Sequence, residues 1–480
     1  MNPQPMVGVL DYVLLLTMAK GIEELGTAPV GKLLLKYSLP AVVGTVVSAV
    51  YNIVDSIVIG HAIDDPNVVA GIAVTFPVMN ITTALGMLIG AGAATRVSIV
   101  MGQNDKRVAE IILGNCIQLT VIIGLLYAGV FAIFMDPILR MFGASENSLP
   151  YAREFMLWVL PGSVLMNMTF SYNNVMRASG YPGKAMLTNM IGAVLNCILA
   201  PLFLFLFKWG IRGAAIATDI SMLVTAIWVM SHFFNKKNTL HFTKGTYRFN
   251  WPIIRGVLYI GMAPFLINIC GSAINAIVNN SLLSYGGDDA IASVVVFNRY
   301  VTVFIFVVIG ICQGMQPIVG YNYGSGRYPR LFRTFWLAAG AGVVITSLGS
   351  IIGALNPRAI ASMFMQDESQ IECAVNCIRI TTVSFWMVGF QVVSTNFFQA
   401  LGMAGKAMFL SLSRQIIFMI PLLYMLPHFF GLDGVWSSYP ISDVLATIVT
   451  GVMLTVQIRK IKRESILKSE ETPAEITDDI

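Results

Sequence analysis

The chain has 480 residues, 56% of them apolar and 11% charged, with a formal net charge of +5. Soluble domains carry roughly 25% charged residues, so most of this surface does not face water. A soluble multidomain enzyme, a disordered chain and a disulfide-stapled secreted protein are excluded, which leaves an all-α polytopic membrane protein.

Residues 1–33 read as a cytoplasmic N-terminal segment. Val7 to Met18 is apolar but contains Asp11 and has no basic flank, so it does not read as a signal peptide, and Met18 is an alternative start. Twelve apolar runs follow, at 34–60, 68–98, 109–133, 152–175, 185–207, 213–234, 257–284, 290–322, 334–355, 374–398, 407–429 and 435–457. Each is long enough for a span of about 20 residues. They group as an N-lobe (34–234), a cytoplasmic inter-lobe loop (235–256), a C-lobe (257–457) and a cytoplasmic acidic tail (458–480), of which 464–480 is expected to be disordered. Pro40, Pro77, Pro161, Pro201, Pro264, Pro317, Pro421 and Pro440 are the expected kink points.

Lysine and arginine placement sets the orientation. With both termini cytoplasmic, inner loops and tails hold 21 of the 30 basic residues. Outer loops hold five (Arg140, Arg153, Lys208, Arg212, Arg358), and Arg96, Arg299, Arg379 and Arg414 lie inside spans. That bias is the positive-inside signature. Asp64-Asp65 and Asp288-Asp289 fall in outer loops.

The two halves repeat at a spacing of about 222 residues. Gly180-Tyr-Pro-Gly183-Lys184-Ala185-Met186 matches Gly402-Met-Ala-Gly405-Lys406-Ala407-Met408, and Gly210-Ile-Arg-Gly213 matches Gly431-Leu-Asp-Gly434. Gly92 and Gly102 match Gly314 and Gly324. Six spans per unit give both copies one membrane orientation, hence a pseudo-two-fold axis along the membrane normal and a substrate path between two six-helix bundles. The Gly-x-x-Gly-Lys loops are too short for a P-loop, so transport is expected to run on an ion gradient. Cys373 and Cys377 have no histidine near them, and no metal site is expected.

Three acids lie well inside spans: Asp55, Asp219 and Asp443. A charge at a helix centre costs about 2.5–3.5 kcal/mol on insertion scales, so each needs a partner, a proton or a wet cavity. Asp55 belongs to the stripe Ser48-x-x-Tyr51-Asn52-x-x-Asp55, whose spacing places these groups on one helix face. That stripe is either a structural hydrogen-bonding face or a proton or cation site. Asn173, Asn174, Asn196, Thr218 and Asp219 are candidates to complete a polar cluster, while the C-lobe counterpart of Asp55 is Asn279. Asp443 is open between a structural and a functional role, and Arg96, Arg299 and Arg414 are expected to pair with carbonyls or snorkel.

Twelve spans in two repeats, Pro40 to Asp55 to Gly60 in the first helix, and the paired Gly-x-x-Gly-Lys-Ala loops resemble the multidrug and toxic compound extrusion (MATE) family. The lead-in Gly26-Thr-x-Pro-x-Gly-Lys-Leu-Leu-Leu resembles its DinF-like branch, and Gly314-Met-Gln-Pro-Ile-Val-Gly-Tyr-Asn-Tyr-Gly324 is similarly typical. The resemblance covers about 26–460. It implies a non-enzymatic, monomeric antiporter of a bacterial inner membrane, exporting amphipathic or cationic small molecules in exchange for H⁺ or Na⁺, with no other cofactor and no nucleic-acid partner. A lipid-linked oligosaccharide flippase of related architecture is the alternative. Tyr51, Asp55, Asn173, Asn196 and Thr218 match family positions. With Asn52, Asn174 and Asp219 added from the polar stripe and cluster, Asp55, Asn196, Thr218 and Asp219 are expected to couple the ion, and Tyr51, Asn52, Asn173 and Asn174 to bind substrate. One departure matters: where the family has aspartate before the fifth-helix proline, this chain has Ala200 before Pro201. Asp219 is the candidate replacement, although adjacent helical residues diverge by about 100°. Phe390 and Asn279, near positions acidic in the Na⁺-coupled branch, favour H⁺.

Overall fold

The computed structural model describes residues 22–62 and 66–470, without the side chains at 52–53, 55–57, 59–62, 66, 69, 272–273 and 467–470. The apolar stretch Val7 to Met18, the pair Asp64-Asp65 and the end of the tail lie outside the described residues.

The described residues are almost wholly helical. The elements are α1 (Glu24–Thr27), α2 (Val30–Ala62), α3 (Pro66–Gly102), α4 (Lys106–Ile133), α5 (Met135–Met141), α6 (Leu149–Ala178), α7 (Pro182–Pro201), α8 (Gly210–Phe234), α9 (Trp251–Gly324), α10 (Tyr328–Leu355), α11 (Pro357–Ser362), α12 (Glu368–Thr382), α13 (Phe385–Ala400), α14 (Ala404–Leu412) and α15 (Ile420–Glu470). Polar residues in the breaks start several of them: the Asp105 side chain accepts from Val108 N at 3.0 Å and Asn250 from Ile253 N at 3.3 Å, filling donors that a helix start leaves open.

A straight α9 of 74 residues would be about 110 Å long, against roughly 40–45 Å for a whole bilayer. Gly287, at φ 65°, turns it back, and Leu282 packs with Ala290 and Val294 across the turn. Gly431, at φ 54°, does the same in α15. Eight stretches are long and apolar enough to cross a membrane, and the pair α12–α13, bent by 52°, makes a ninth. The two turn-backs and α6 bring the described crossings to twelve. Pro201 and Pro421 border π-helical turns (Leu202–Leu206 and Ser413–Met419) instead of simple kinks. The last helix continues to Glu470, so residues 464–470 are helical where composition led us to expect disorder; the pair Lys460–Glu464 at spacing four supports that turn.

The repeat is visible in backbone geometry. Gly180 and Gly402 share a positive φ (99° and 75°), as do Gly210 and Gly431 (57° and 54°), and Asn104 and Gly326 (62° and 70°). The halves meet where the ends of α3 and α9 cross. A Cβ on Gly102 would lie 2.1 Å from the Tyr321 carbonyl oxygen, and one on Gly324 would lie 2.0 Å from that of Ile99. The two contacts exchange under the repeat, as a pseudo-two-fold crossing requires.

Further along, Gln316 Nε2 donates to Thr95 Oγ1 (2.7 Å), Thr45 Oγ1 to the Phe306 carbonyl (3.1 Å) and Asn268 Nδ2 to Met87 Sδ (3.3 Å). Beyond these bonds the same helix faces are exposed: Ala73 and Asn80 on α3, Asn275 and Asn279 on the first arm of α9, Val295, Arg299 and Thr302 on the second. The halves are therefore closed at the end that carries Leu25, Gly102 and Gly324. They part towards the end that carries the Gly287 and Gly431 turns, leaving a central cleft.

Candidate functional site

The polar residues of the first half form a tract inside its helices. Gly44, Ser48 and Tyr51 share one face of α2, by helical spacing. That face packs on α7, where a Cβ on Gly44 would sit 2.9 Å from Asn189 Nδ2. Asn189 and Asn196 lie seven residues apart on one face of α7. Asn173 of α6 is buried, and its Nδ2 donates to the Ala185 carbonyl (2.8 Å) and to Asn189 Oδ1 (3.4 Å). At the other end Asn196 Nδ2 donates to Thr218 Oγ1 (3.1 Å), which donates to the Ala214 carbonyl (3.1 Å). The buried Asn196 Oδ1 has no hydrogen-bond partner among the described residues, so this end of the tract keeps an unused acceptor for a proton donor or a cation.

The expected cluster is assembled in part. Asn173, Asn196 and Thr218 fall on the tract and Tyr51 on the α2 face beside it. Asn174 instead bonds back along its own helix, Nδ2 to the Phe170 carbonyl at 2.8 Å. The side chains of Asn52 and Asp55 lie outside the described residues. Ala200 is buried against Phe203 and Ala217, so the place of the missing carboxylate is apolar packing.

Asp219 looks away from Asn196. Its Oδ1 presses on α6, so that a Cβ on Gly162 would fall 1.9 Å from it, and that oxygen has no hydrogen-bond partner among the described residues. It borders a side cleft with Met79, Thr82, Tyr127, Ser163 and Met222, with room of about 10 Å³, enough for one water-sized guest. Neighbouring helical positions point about 100° apart, so Thr218 can serve the tract while Asp219 serves this cleft.

Two features escaped the sequence reading. Arg177, counted there among loop cations, is buried at the end of α6: Nη2 donates to Asn173 Oδ1 (3.0 Å) and Nη1 to Gln313 Oε1 of α9 (2.5 Å). It ties the tract to the other half. In the second half, Arg414 neither snorkels nor settles on a carbonyl: its Nε donates to Asp443 Oδ1 at 2.7 Å, and Ser384 Oγ donates to Oδ2 at 3.0 Å. Gln391 Nε2 caps the Asp443 carbonyl (2.5 Å) and Thr447 Oγ1 (2.6 Å). Ser384 lies at the α12–α13 break and Arg414 in the π turn after α14, so one carboxylate pins both irregular segments.

The family model described as MatE matches twice, over residues 40–202 and 264–425. The chain belongs to the MatE family. Relatives of this MatE chain include the "Multidrug export protein MepA" of Staphylococcus aureus (strain MRSA252), 26% identical over 88% of this chain and 92% of that one. The protein of the same name from Staphylococcus haemolyticus (strain JCSC1435) is 25% identical over 92% and 97%. Among solved structures, one titled as the outward-facing conformation of a multidrug resistance MATE family transporter of the MOP superfamily aligns with TM-score 0.87 at 23% identity, over 92% of this chain and 99% of that one. A MOP superfamily transporter from Pyrococcus furiosus Vc1 (DSM3638), whose title reports a binding pocket of reverse polarity, aligns with TM-score 0.86 at 24% identity, over 92% and 99%. The MatE fold thus accounts for the twelve helices, the repeat and the cleft between the halves.

Proposed function

We propose that the protein is a secondary active exporter that moves amphipathic or cationic small molecules out of a bacterial cell in exchange for H⁺, with Na⁺ as the other candidate ion. The observation that carries this reading is a pair of repeat-related bundles, closed on each other at one end and parted at the other, with a buried polar tract in one of them. The positive-inside rule places the closed end in the cytoplasm, so the cleft opens outward. The names of the relatives support multidrug export.

Coupling works by competition. A cationic substrate and a proton each offset negative charge in the first half, where Asp55 stands one turn beyond Tyr51, and Asn196 and Thr218 offer oxygen ligands. Protonation from outside weakens the hold on the cation and favours its release. One charge moved through 100 mV supplies about 2.3 kcal/mol, a roughly fifty-fold gradient of neutral substrate per proton. Asp219 is a second acid for the same duty through its own cleft.

The test is ethidium efflux from proteoliposomes with pH and Na⁺ gradients imposed separately. Efflux driven by the pH gradient alone is expected. Efflux driven only by Na⁺ would reverse the ion assignment. No efflux under either gradient from folded protein would overturn the reading and favour the flippase alternative.

A further inference from the structure

Arg299 has no role in the export scheme above, and its position calls for one. It is exposed on the second arm of α9, with no ion pair or hydrogen bond among the described residues. Phe306 and Gln313 follow at intervals of seven residues, hence on the same helical face. That face turns to the first half: the Phe306 carbonyl accepts from Thr45 and Gln313 accepts from Arg177. Arg299 therefore stands in the cleft, about 10 Å beyond the last of these bonds. It does not face lipid, where a lone guanidinium is strongly disfavoured. Thr302 is exposed beside it. Asn275 and Asn279 line the first arm, on the face that carries Gly261 and Asn268 into contact with α3.

One wall of the cleft is thus cationic and rich in amides, while the acids Asp55 and Asp219 belong to the other half. We infer that Arg299, flanked by Thr302, Asn275 and Asn279, forms an anion-recognising subsite that holds a carboxylate or similar oxyanion of an amphiphile whose cationic part lies towards the first half. Guanidinium suits this task because its planar donors match a carboxylate. The inference rests on the export reading and adds a substrate preference to it: zwitterions over cations of equal size.

The test uses two fluorescent dyes that differ in one group, rhodamine 110 with a free carboxylate and rhodamine 123, its methyl ester. Binding to the full-length purified protein is read by fluorescence anisotropy, and efflux by proteoliposome release. The wild type is expected to favour the acid, and Arg299→Gln to lower the acid-to-ester affinity ratio by about 10- to 100-fold, the worth of one charged hydrogen bond. Arg299→Lys, which keeps the charge, should recover part of the ratio. A wild type that binds the ester but not the acid, or an Arg299→Gln protein with an unchanged ratio, would overturn the inference and leave the export reading standing. Binding of neither dye would overturn both. A lipid phosphate offers similar chemistry, so the ratio is also measured in vesicles with and without phosphatidylglycerol. If the effect of Arg299→Gln requires the anionic lipid, the guanidinium holds a headgroup and the substrate assignment falls.

Discussion

Gly102→Ala is expected to shift the protein away from the conformation described here. The added Cβ would lie 2.1 Å from the Tyr321 carbonyl oxygen, whereas real Cβ contacts essentially never fall under 3.0 Å. The ends of α3 and α9 must therefore separate by about 1 Å, and both contacting groups are helix backbone that no rotamer change can move aside. Overpacking of this kind costs roughly 1–3 kcal/mol. That cost falls only on the state in which the halves meet at this end, so it biases the equilibrium by roughly 5- to 150-fold towards the alternative opening. Spin labels at Gln103 and Arg333 report the closed end by double electron–electron resonance, and labels at Ala73 and Val295 report the mouth. The first distance should lengthen and the second shorten. Gly324→Ala should act in the same direction, because its Cβ meets Ile99 in the reciprocal contact, while Gly129→Ala, with open space around it, should move neither. Unchanged distances in a folded Gly102→Ala protein would refute the idea that this crossing holds the halves together.

Asp55→Asn should abolish uphill efflux in proteoliposomes while the protein still inserts and folds; preserved uphill transport would remove Asp55 from the coupling scheme. Asp219→Asn should change the pH profile of efflux yet leave the Asn196–Thr218 pair intact, and a wild-type profile would show the side cleft to be idle. Arg177→Gln leaves Asn173 Oδ1 without its donor, a loss of about 1–3 kcal/mol, read as a lower melting midpoint in detergent. Arg414→Gln strands the buried Asp443 carboxylate and should cost about 3–5 kcal/mol. The double variant Arg414→Gln/Asp443→Asn should recover part of that stability, and a double variant no better than the single one would contradict the pairing.

The helices and their pairing in two units were legible because apolar length and glycine position are one-dimensional signals. Gly180 and Gly402 announce the same left-handed turn in each half, and most spans of the sequence fall within single helices, whereas 374–398 crosses the break at Val383–Ser384 and 185–207 and 407–429 run through π-helical turns. The direction of side chains was less legible. Asp219 follows Thr218 in sequence, but the helix turns it from the tract towards Gly162. Arg177 lies just past an apolar run and so counted as a loop cation, although three-dimensional packing buries it. Arg414 and Asp443 are 29 residues apart on different helices, and no periodicity joins them. The closure of one end and the opening of the other were not legible at all, since a transporter sequence must be compatible with both arrangements.

The N-terminal segment has a consequence for how the chain matures. The Leu25 carbonyl accepts from Asn322 Nδ2 (3.0 Å), that of Gly26 from Arg327 Nη1 (2.5 Å) and that of Ala28 from Arg330 Nη2 (2.5 Å). These partners lie 297 to 302 residues further on. At about 5–20 residues per second, a ribosome needs roughly 15–60 s to reach Arg330 after it has made Leu25. During that interval the first bundle can insert and pack, with Glu24 paired to Lys36 at 2.7 Å, but the carbonyls of Leu25, Gly26 and Ala28 lack these donors. Those three donors belong to the second bundle, so capping of the Leu25, Gly26 and Ala28 carbonyls is a late step of biogenesis that marks arrival of both halves.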